Sequence, residues 1–523
     1  MRNPLRPEPR YVLLVSTIAL LTGCIFHTLK VAPVDRTAGT TVASPVKVHL
    51  LDGSTAIFEQ GVRIDTDSLR GAGREFAITA TAATDAASVR AIPLDSIGAM
   101  ESYTGSINAP KSVALTTLAT LGAAAATVGL FKAVFGSCPT IYSDSDGVPV
   151  LEAEGFSYSI SPLLERRDLH RLRAQPDRNG TLSLDVRNEA LETHYVNQLE
   201  LLGVARSPDE FVLPDAAERA LAVREVAPVL RAMDRAGNDV TDALARDDSL
   251  VFRSDRRTII GVQPGDVNDW IDLTIAPPPG ADSVALVFHL RNSLLNTVLL
   301  YDAMLRPQGA AAVDFEGRDL NTISTMVQIG RWYGSRMGLH VAVRHGNAWD
   351  TVADVPDAGP IAWRDVGVVI PVPAGDTLSV RLSFVADEWR IDRVAVAARF
   401  RHPLPEHFDI SALLGADGAP EQAALAGVQT LDDRYLETTP GQRFTVQFET
   451  GRAPGDSART FLLATEGYYT EWIRGSWVRQ TRTPRPFIAS DTTLVDTERH
   501  WADVGPAFEA QFAQTRIPVR PLP

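Results

Sequence analysis

The sequence predicts a mainly β protein: a small N-terminal β-barrel or sheet, one hydrophobic helix, then β-sandwich domains of jelly-roll type. Three observations carry this. Short runs alternate apolar and polar residues, most cleanly Leu378-Ser379-Val380-Arg381-Leu382-Ser383-Phe384, the period of a half-buried strand. Turn signals separate these runs at close intervals: Asn179-Gly180, Ala236-Gly237-Asn238, Pro277-Pro278-Pro279-Gly280 and Pro440-Gly441. Helical periodicity is sparse. Closely spaced short strands with such punctuation suit sandwiches and jelly rolls.

The elements follow in order. Residues 1–23 form a basic start (Arg2, Arg6, Arg10) and an uncharged, mostly apolar run, followed by Leu21-Thr22-Gly23-Cys24. The run is too short to span a bilayer and has the build of a signal peptide. Residues 24–45 are small and polar without period and read as a tether. Residues 46–103 contain about five strand-like pieces, starting with the hairpin pattern around Asp52-Gly53. Residues 113–135 carry a single charge, Lys132. That segment is long enough to span a membrane but rich in Ala, Thr and Gly. A span, a re-entrant hairpin and a buried helix all remain open.

From residue 137 onward strands dominate. Candidates are 181–186, 195–205, 270–275, 284–290, 339–344, 366–372, 378–385, 391–398 and 444–449. The expected units are 137–265, a sandwich over 266–400, a β-rich region over 401–489 and a helix and tail over 490–523. Residues 214–224 and 493–513 are the better helix candidates. Residues 410–430 are Ala/Gly-rich and read as irregular or helical.

The formal net charge is −14. Loss of residues 1–23 removes three Arg and one Glu, so the remainder is more acidic still. A phosphate backbone would be repelled, which excludes nucleic acid as an expected partner. The two cysteines, Cys24 and Cys138, leave no internal disulfide if Cys24 is lipidated.

The N-terminal pattern resembles the bacterial lipoprotein signal, whose lipobox ends in the cysteine that becomes the acylated first residue. The resemblance implies cleavage after Gly23, lipidation (palmitate among the acyl chains) at Cys24, and a place in the cell envelope. The plainer alternative is an ordinary secretory signal or uncleaved anchor with an incidental cysteine. Ile25 stands where an Asp favours inner-membrane retention in enterobacterial lipoproteins, so the outer membrane is the expected address. A second resemblance lies in Ser137-Cys138-Pro139, Asp146-Gly147 and Leu164-Glu165-Arg166-Arg167-Asp168. It continues in Gly467-Tyr468-Tyr469-Thr470-Glu471-Trp472. This pattern is similar to poorly characterised bacterial envelope proteins. It implies a shared all-β scaffold and transfers no activity or catalytic residue.

Catalytic signatures are missing: there is no Gly-x-Ser-x-Gly elbow, phosphate-binding loop, dinucleotide fingerprint or His-Glu-x-x-His. The ten histidines are scattered, and His340 and His345 read as lying on opposite faces of a strand and turn. No spacing suggests a metal, and no cofactor is expected. Asp144 and Asp146 read as a hairpin turn with Gly147; the calcium-loop alternative fails because Ala153 stands where a Glu is needed. Glu165, Arg166 and Asp168 read as an ion-pair cluster on a loop. Trp332, Tyr333, Trp349, Trp363 and Trp389 cluster in sequence and are candidate glycan contacts; the alternative is that they fill a sandwich core. Asp392 is expected to pair with Arg390 or Arg393.

The expected function is a non-enzymatic, membrane-anchored envelope lipoprotein presenting β-sandwich domains to a protein or glycan partner. The alternative is a carbohydrate-binding or glycan-hydrolysing envelope protein, because a carboxylate pair leaves no sequence signature.

Overall fold

The computed structural model describes residues 27–34, 37–43, 46–50, 55–58, 60–76, 87–107, 139–471 with short interruptions, 485–514 and 520–521. Cys24, Cys138, Asp146, Trp472 and the 113–135 segment lie outside the described residues. No described helix is long and apolar enough to cross a membrane. The fold is mainly β, as the alternation predicts, with five sheets among the described residues.

The N-terminal sheet begins earlier than expected. His27–Pro33 and Thr41–Val42, within the stretch read as a tether, are strands. His27–Pro33 pairs along its whole length with Ile97–Ile107. Such pairing is made by backbone groups, which composition does not display. Val46, Val48, Phe58, Ile64 and Leu69 form its core.

Two sandwiches follow, one interrupting the other. The first pairs a sheet of Val148–Glu154, Thr140–Ser145, Thr181–Arg187, Gln442–Glu449 and Ile410–Leu414 with a sheet containing Arg166–Arg171, Ala458–Glu471 and Glu192–Arg206. Its strands thus come from two segments distant in sequence. The register joins Thr181 to Glu449 and Arg206 to Ala458. Between those segments runs the whole second sandwich, from Phe211 to Arg401. The boundary expected at 265 therefore falls inside one domain, because linear reading cannot see which strands pair.

The second sandwich is a jelly roll. One sheet orders Ala220–Pro228, Trp389–Arg401, Ser283–Asn292 and Arg364–Pro371; the other orders Asn268–Ile275, Leu378–Val385, Leu339–His345 and Ala348–Val355. Read along the chain, these strands interleave between the sheets in the jelly-roll order. Phe211–Pro214 and Arg231–Asp234 extend one edge of each sheet. Ile271, Leu286, Phe288, Leu382 and Trp389 fill the space between.

The central strands Glu192–Arg206 and Ala458–Glu471 are covered on both faces. Leu201 and Leu463 point into their own sandwich, while Leu202 and Leu462 pack beside Val212 and Ala222 of the jelly roll. Two-sided burial explains their long apolar runs. Residues 214–224, expected to be helical, instead form a hairpin between Phe211–Pro214 and Ala220–Pro228. The Asp215 carboxylate accepts the Ala217 and Arg219 amides across the turn, and Leu221 and Val223 are buried in the sheet. Tertiary burial overrides the helix preference of Ala, Glu and Arg there. Residues 410–430 divide into the strand Ile410–Leu414 and the short helix Gln422–Ala426.

A helical layer closes one end. Leu295–Val298 continues into a π-helical stretch, Leu299–Leu305. With Ile323–Arg336 and the C-terminal helix Asp491–Gln514, it buries Val298, Met304, Tyr333, Leu494 and Trp501 in one core. The C-terminal helix lies where residues 493–513 predict it. The Trp501 indole N–H donates to Asp387 (2.8 Å), and Arg390 grips the same carboxylate and reaches Glu509. Arg336 forms a bidentate pair with Asp491 at the other end.

Candidate functional site

Many polar side chains converge in a buried seam where both sandwiches and the helical layer meet. Glu154, on Val148–Glu154 of the first sandwich, accepts the Ile361 and Ala362 amides of the second at 2.7 and 2.9 Å. Asn292, ending the strand Ser283–Asn292, is fully buried. Its Oδ1 accepts the Tyr158 hydroxyl and the Ala358 and Gly359 amides, and its Nδ2 donates to Asp357. The other Asp357 oxygen accepts the Tyr333 hydroxyl at 3.0 Å. Arg364 donates to the carbonyls of Asp357 and of Leu169 in the first sandwich. Glu388 accepts the Gly338 and Val385 amides.

Low dielectric sets the protonation here. Burial, with Asp357 and Glu154 nearby, pushes the Tyr158 hydroxyl well above its ordinary range. Burial and the Asp357 charge raise Glu388 likewise. Burial, reinforced by Arg364, holds His170 down at about 3, so its ring stays neutral. Groups so enclosed and so bonded to backbone fix a structure; they do not meet solvent.

Gly359 marks the tightest approach. Its φ is +85°, and a Cβ there would stand 2.5 Å from the Glu154 carboxyl carbon and 2.6 Å from the Ser157 hydroxyl oxygen. Gly359→Ala is expected to cost about 2 kcal/mol or more, seen as a lower urea midpoint with unchanged slope. A midpoint equal to the parent's would contradict this close contact.

The five aromatic candidates do not share a face. Tyr333 is buried in the helical layer and Trp389 in the jelly-roll core, so neither offers a ring to a ligand. Half-buried Trp332 packs edge-on against Phe487. Trp363 stacks on His289 (centroids 5.2 Å apart) and carries Arg291 on its ring. Trp349, half-buried on the edge strand Ala348–Val355, is covered on one side by Arg381. Arg381 also lies over Trp270, which Arg235 covers as well. Trp270 belongs to this outer-face ladder and was not picked out from the sequence; of its partner arginines, Arg381 comes from another strand and Arg235 from the turn after Arg231–Asp234.

Other expectations resolve individually. Gly147 donates to Asp144 in the turn joining Thr140–Ser145 and Val148–Glu154, as a hairpin requires. Arg166 and Asp168 pair at 2.8 Å, but on the strand Arg166–Arg171, not a loop. Glu165 accepts from Asn197 and Tyr435 instead. Both His340 and His345 lie on Leu339–His345 and bond Asp354 and Asp350 across the hairpin. Asp392 pairs with neither neighbouring arginine: Arg390 takes Asp387, and Arg393 lies 3.9 Å from Asp365. The bulge at this position turns Asp392 elsewhere.

That bulge creates the chain's one metal-capable group among the described residues. Asp247, His289 and Asp392 bring ligand atoms within 4.8 Å of one another. His289 pairs with Arg393, and Leu290 with Ile391, leaving Asp392 as the extra residue. A bulge re-aims a side chain in this way. The Asp248 amide donates to Asp392, and Phe252 bonds Ile391, pinning the Asp247 loop against the strand.

No family model and no curated protein matches the chain. Among solved structures, a GH31 alpha-xylosidase from Xanthomonas citri aligns at 9% identity over 84% of this chain, with a TM-score of 0.16. A cycloalternan-forming enzyme from Listeria monocytogenes, in complex with a pentasaccharide substrate, aligns at 11% over 71%, also at 0.16. The chain spans 38% and 30% of the lengths of those proteins. Likeness this slight carries neither fold nor activity to this chain.

Proposed function

We propose that this chain is a membrane-anchored envelope protein that acts by presenting a rigid β-sandwich body to a protein or glycan partner, without turnover. One observation carries the reading. Carboxylates, tyrosines and an arginine converge, buried, in the seam between the sandwiches. There they hold backbone amides, carbonyls and one another. Ionisable groups spent this way join two domains into one body. Loops and outer faces of such a scaffold are the places for recognition. A glycan partner has one specific support: Trp349 sits half-buried on an exposed edge strand beside the Arg381–Trp270 ladder.

Anchoring rests on the Arg2/Arg6/Arg10 start, the apolar run and Leu21-Thr22-Gly23-Cys24. Acylation at Cys24 would hold the body at the envelope, with the outer membrane the favoured side. Stable attachment needs more than one acyl chain. Cys24→Ser is expected to leave an unprocessed precursor that takes up no labelled fatty acid. A variant still cleaved after Gly23 and still acylated overturns the anchor.

A further inference from the structure

We infer that Asp247, His289 and Asp392 form a binding site for a divalent transition-metal ion of the Zn²⁺ or Mn²⁺ type. Three strands and one pinned loop build it. His289 and Asp365 face each other across paired strands, and His289 Nδ1 lies 2.9 Å from Asp365 Oδ1. A carboxylate so placed holds Nδ1–H and leaves Nε2 as the lone-pair donor, the arrangement that orients metal-bound histidines. Nε2 faces the far side, 3.6 Å from Asp247. The role of Asp365 is fixed by its own partners, Arg171 at 3.2 Å and Arg393 at 3.9 Å. Its charge is balanced there.

Asp392 is different. It is 2% exposed, and among the described residues no lysine or arginine lies within ion-pair distance of it or of Asp247. Its hydrogen-bond donor is the Asp248 amide. A buried carboxylate beside a second carboxylate and an imidazole lone pair is a position that a bound cation would stabilise. One nitrogen and two carboxylate oxygens suit Zn²⁺ or Mn²⁺ better than Ca²⁺ or Mg²⁺, which prefer all-oxygen sets. Asp247 is half-exposed, so the remaining coordination positions open to water. The ligands stand on separate elements, 42 and 103 residues apart in sequence, so no spacing motif announces them.

Trp363 gives the site its own reporter, because its ring stacks on the His289 imidazole. The test uses the full chain, purified without a polyhistidine tag, stripped with chelator and titrated calorimetrically with ZnCl₂, MnCl₂ and MgCl₂. Expected are saturable binding of one Zn²⁺ or Mn²⁺ per chain, far weaker Mg²⁺ binding, and Co²⁺ quenching of tryptophan fluorescence that shrinks in Trp363→Phe. Asp247→Asn lies on an exposed loop and leaves folding intact; it should weaken binding about tenfold or more. Asp365→Asn should weaken it roughly tenfold to a hundredfold by releasing the imidazole. No saturable binding, or binding unchanged in both Asp247→Asn and a folded His289→Gln, overturns the site.

Discussion

Asn292→Ala should lower unfolding stability by about 4 kcal/mol. The substitution strips one acceptor from the Tyr158 hydroxyl and the Ala358 and Gly359 amides, and one donor from Asp357, all buried. Each buried group left with a lost bond costs about 1–3 kcal/mol; the Gly359 amide keeps the Tyr158 hydroxyl and Asp357 keeps the Tyr333 hydroxyl, which limits the total. Since Tyr158 belongs to the first sandwich and Asn292 to the second, the loss should appear in both domains together. Urea unfolding followed by tryptophan fluorescence and by far-ultraviolet dichroism should shift by the same amount. A loss below about 1 kcal/mol, or a shift in one signal alone, would show that the seam does not couple the sandwiches.

The second large effect concerns Glu498, on the C-terminal helix. Its side chain is fully buried. Burial, with the Glu388 charge adding to it, pushes its carboxyl up to about 9, while the Ala386 amide and Arg499 pull the other way. The folded chain therefore keeps a proton that the unfolded chain releases in the ordinary carboxylate range. Stability is greatest below that range and falls as pH rises toward 9, by about 3 kcal/mol at pH 7 through this one group. Glu498→Gln removes the titration while keeping the shape. The variant should match its parent near pH 5 and melt progressively higher than it from pH 6 to pH 8. Parallel melting curves across that range would place the proton elsewhere.

Strand alternation made the fold class legible: residues 378–385 and 270–275 read directly as half-buried strands, and both lie in strands that pair in the jelly roll. Turn residues marked the hairpin at Gly147 for the same local reason. What stayed hidden depends on pairing between distant segments. Nothing near Thr181 announces Glu449, so the interruption of one sandwich by the other was invisible. The Asp215 turn misled because its helix-favouring residues were judged without their burial. The seam and the Asp247–His289–Asp392 group escaped for a related reason: their members are single, ordinary residues, and a bulge at Asp392 exists only once its partner strand is known. The aromatic residues clustered in sequence, and the strands then sent Trp389 inward and Trp349 outward.

A rigid presenting body differs from a glycan hydrolase in one observable: whether the partner leaves chemically changed. The full chain, incubated with peptidoglycan and lipopolysaccharide fragments, should return them with masses unchanged and no new reducing ends by mass spectrometry. If a glycan is the partner, it should be retained, and retention should fall in Trp349→Ala. Cleaved fragments that vanish when a single Asp or Glu is neutralised, with the fold intact, would contradict the proposal and make the chain an enzyme.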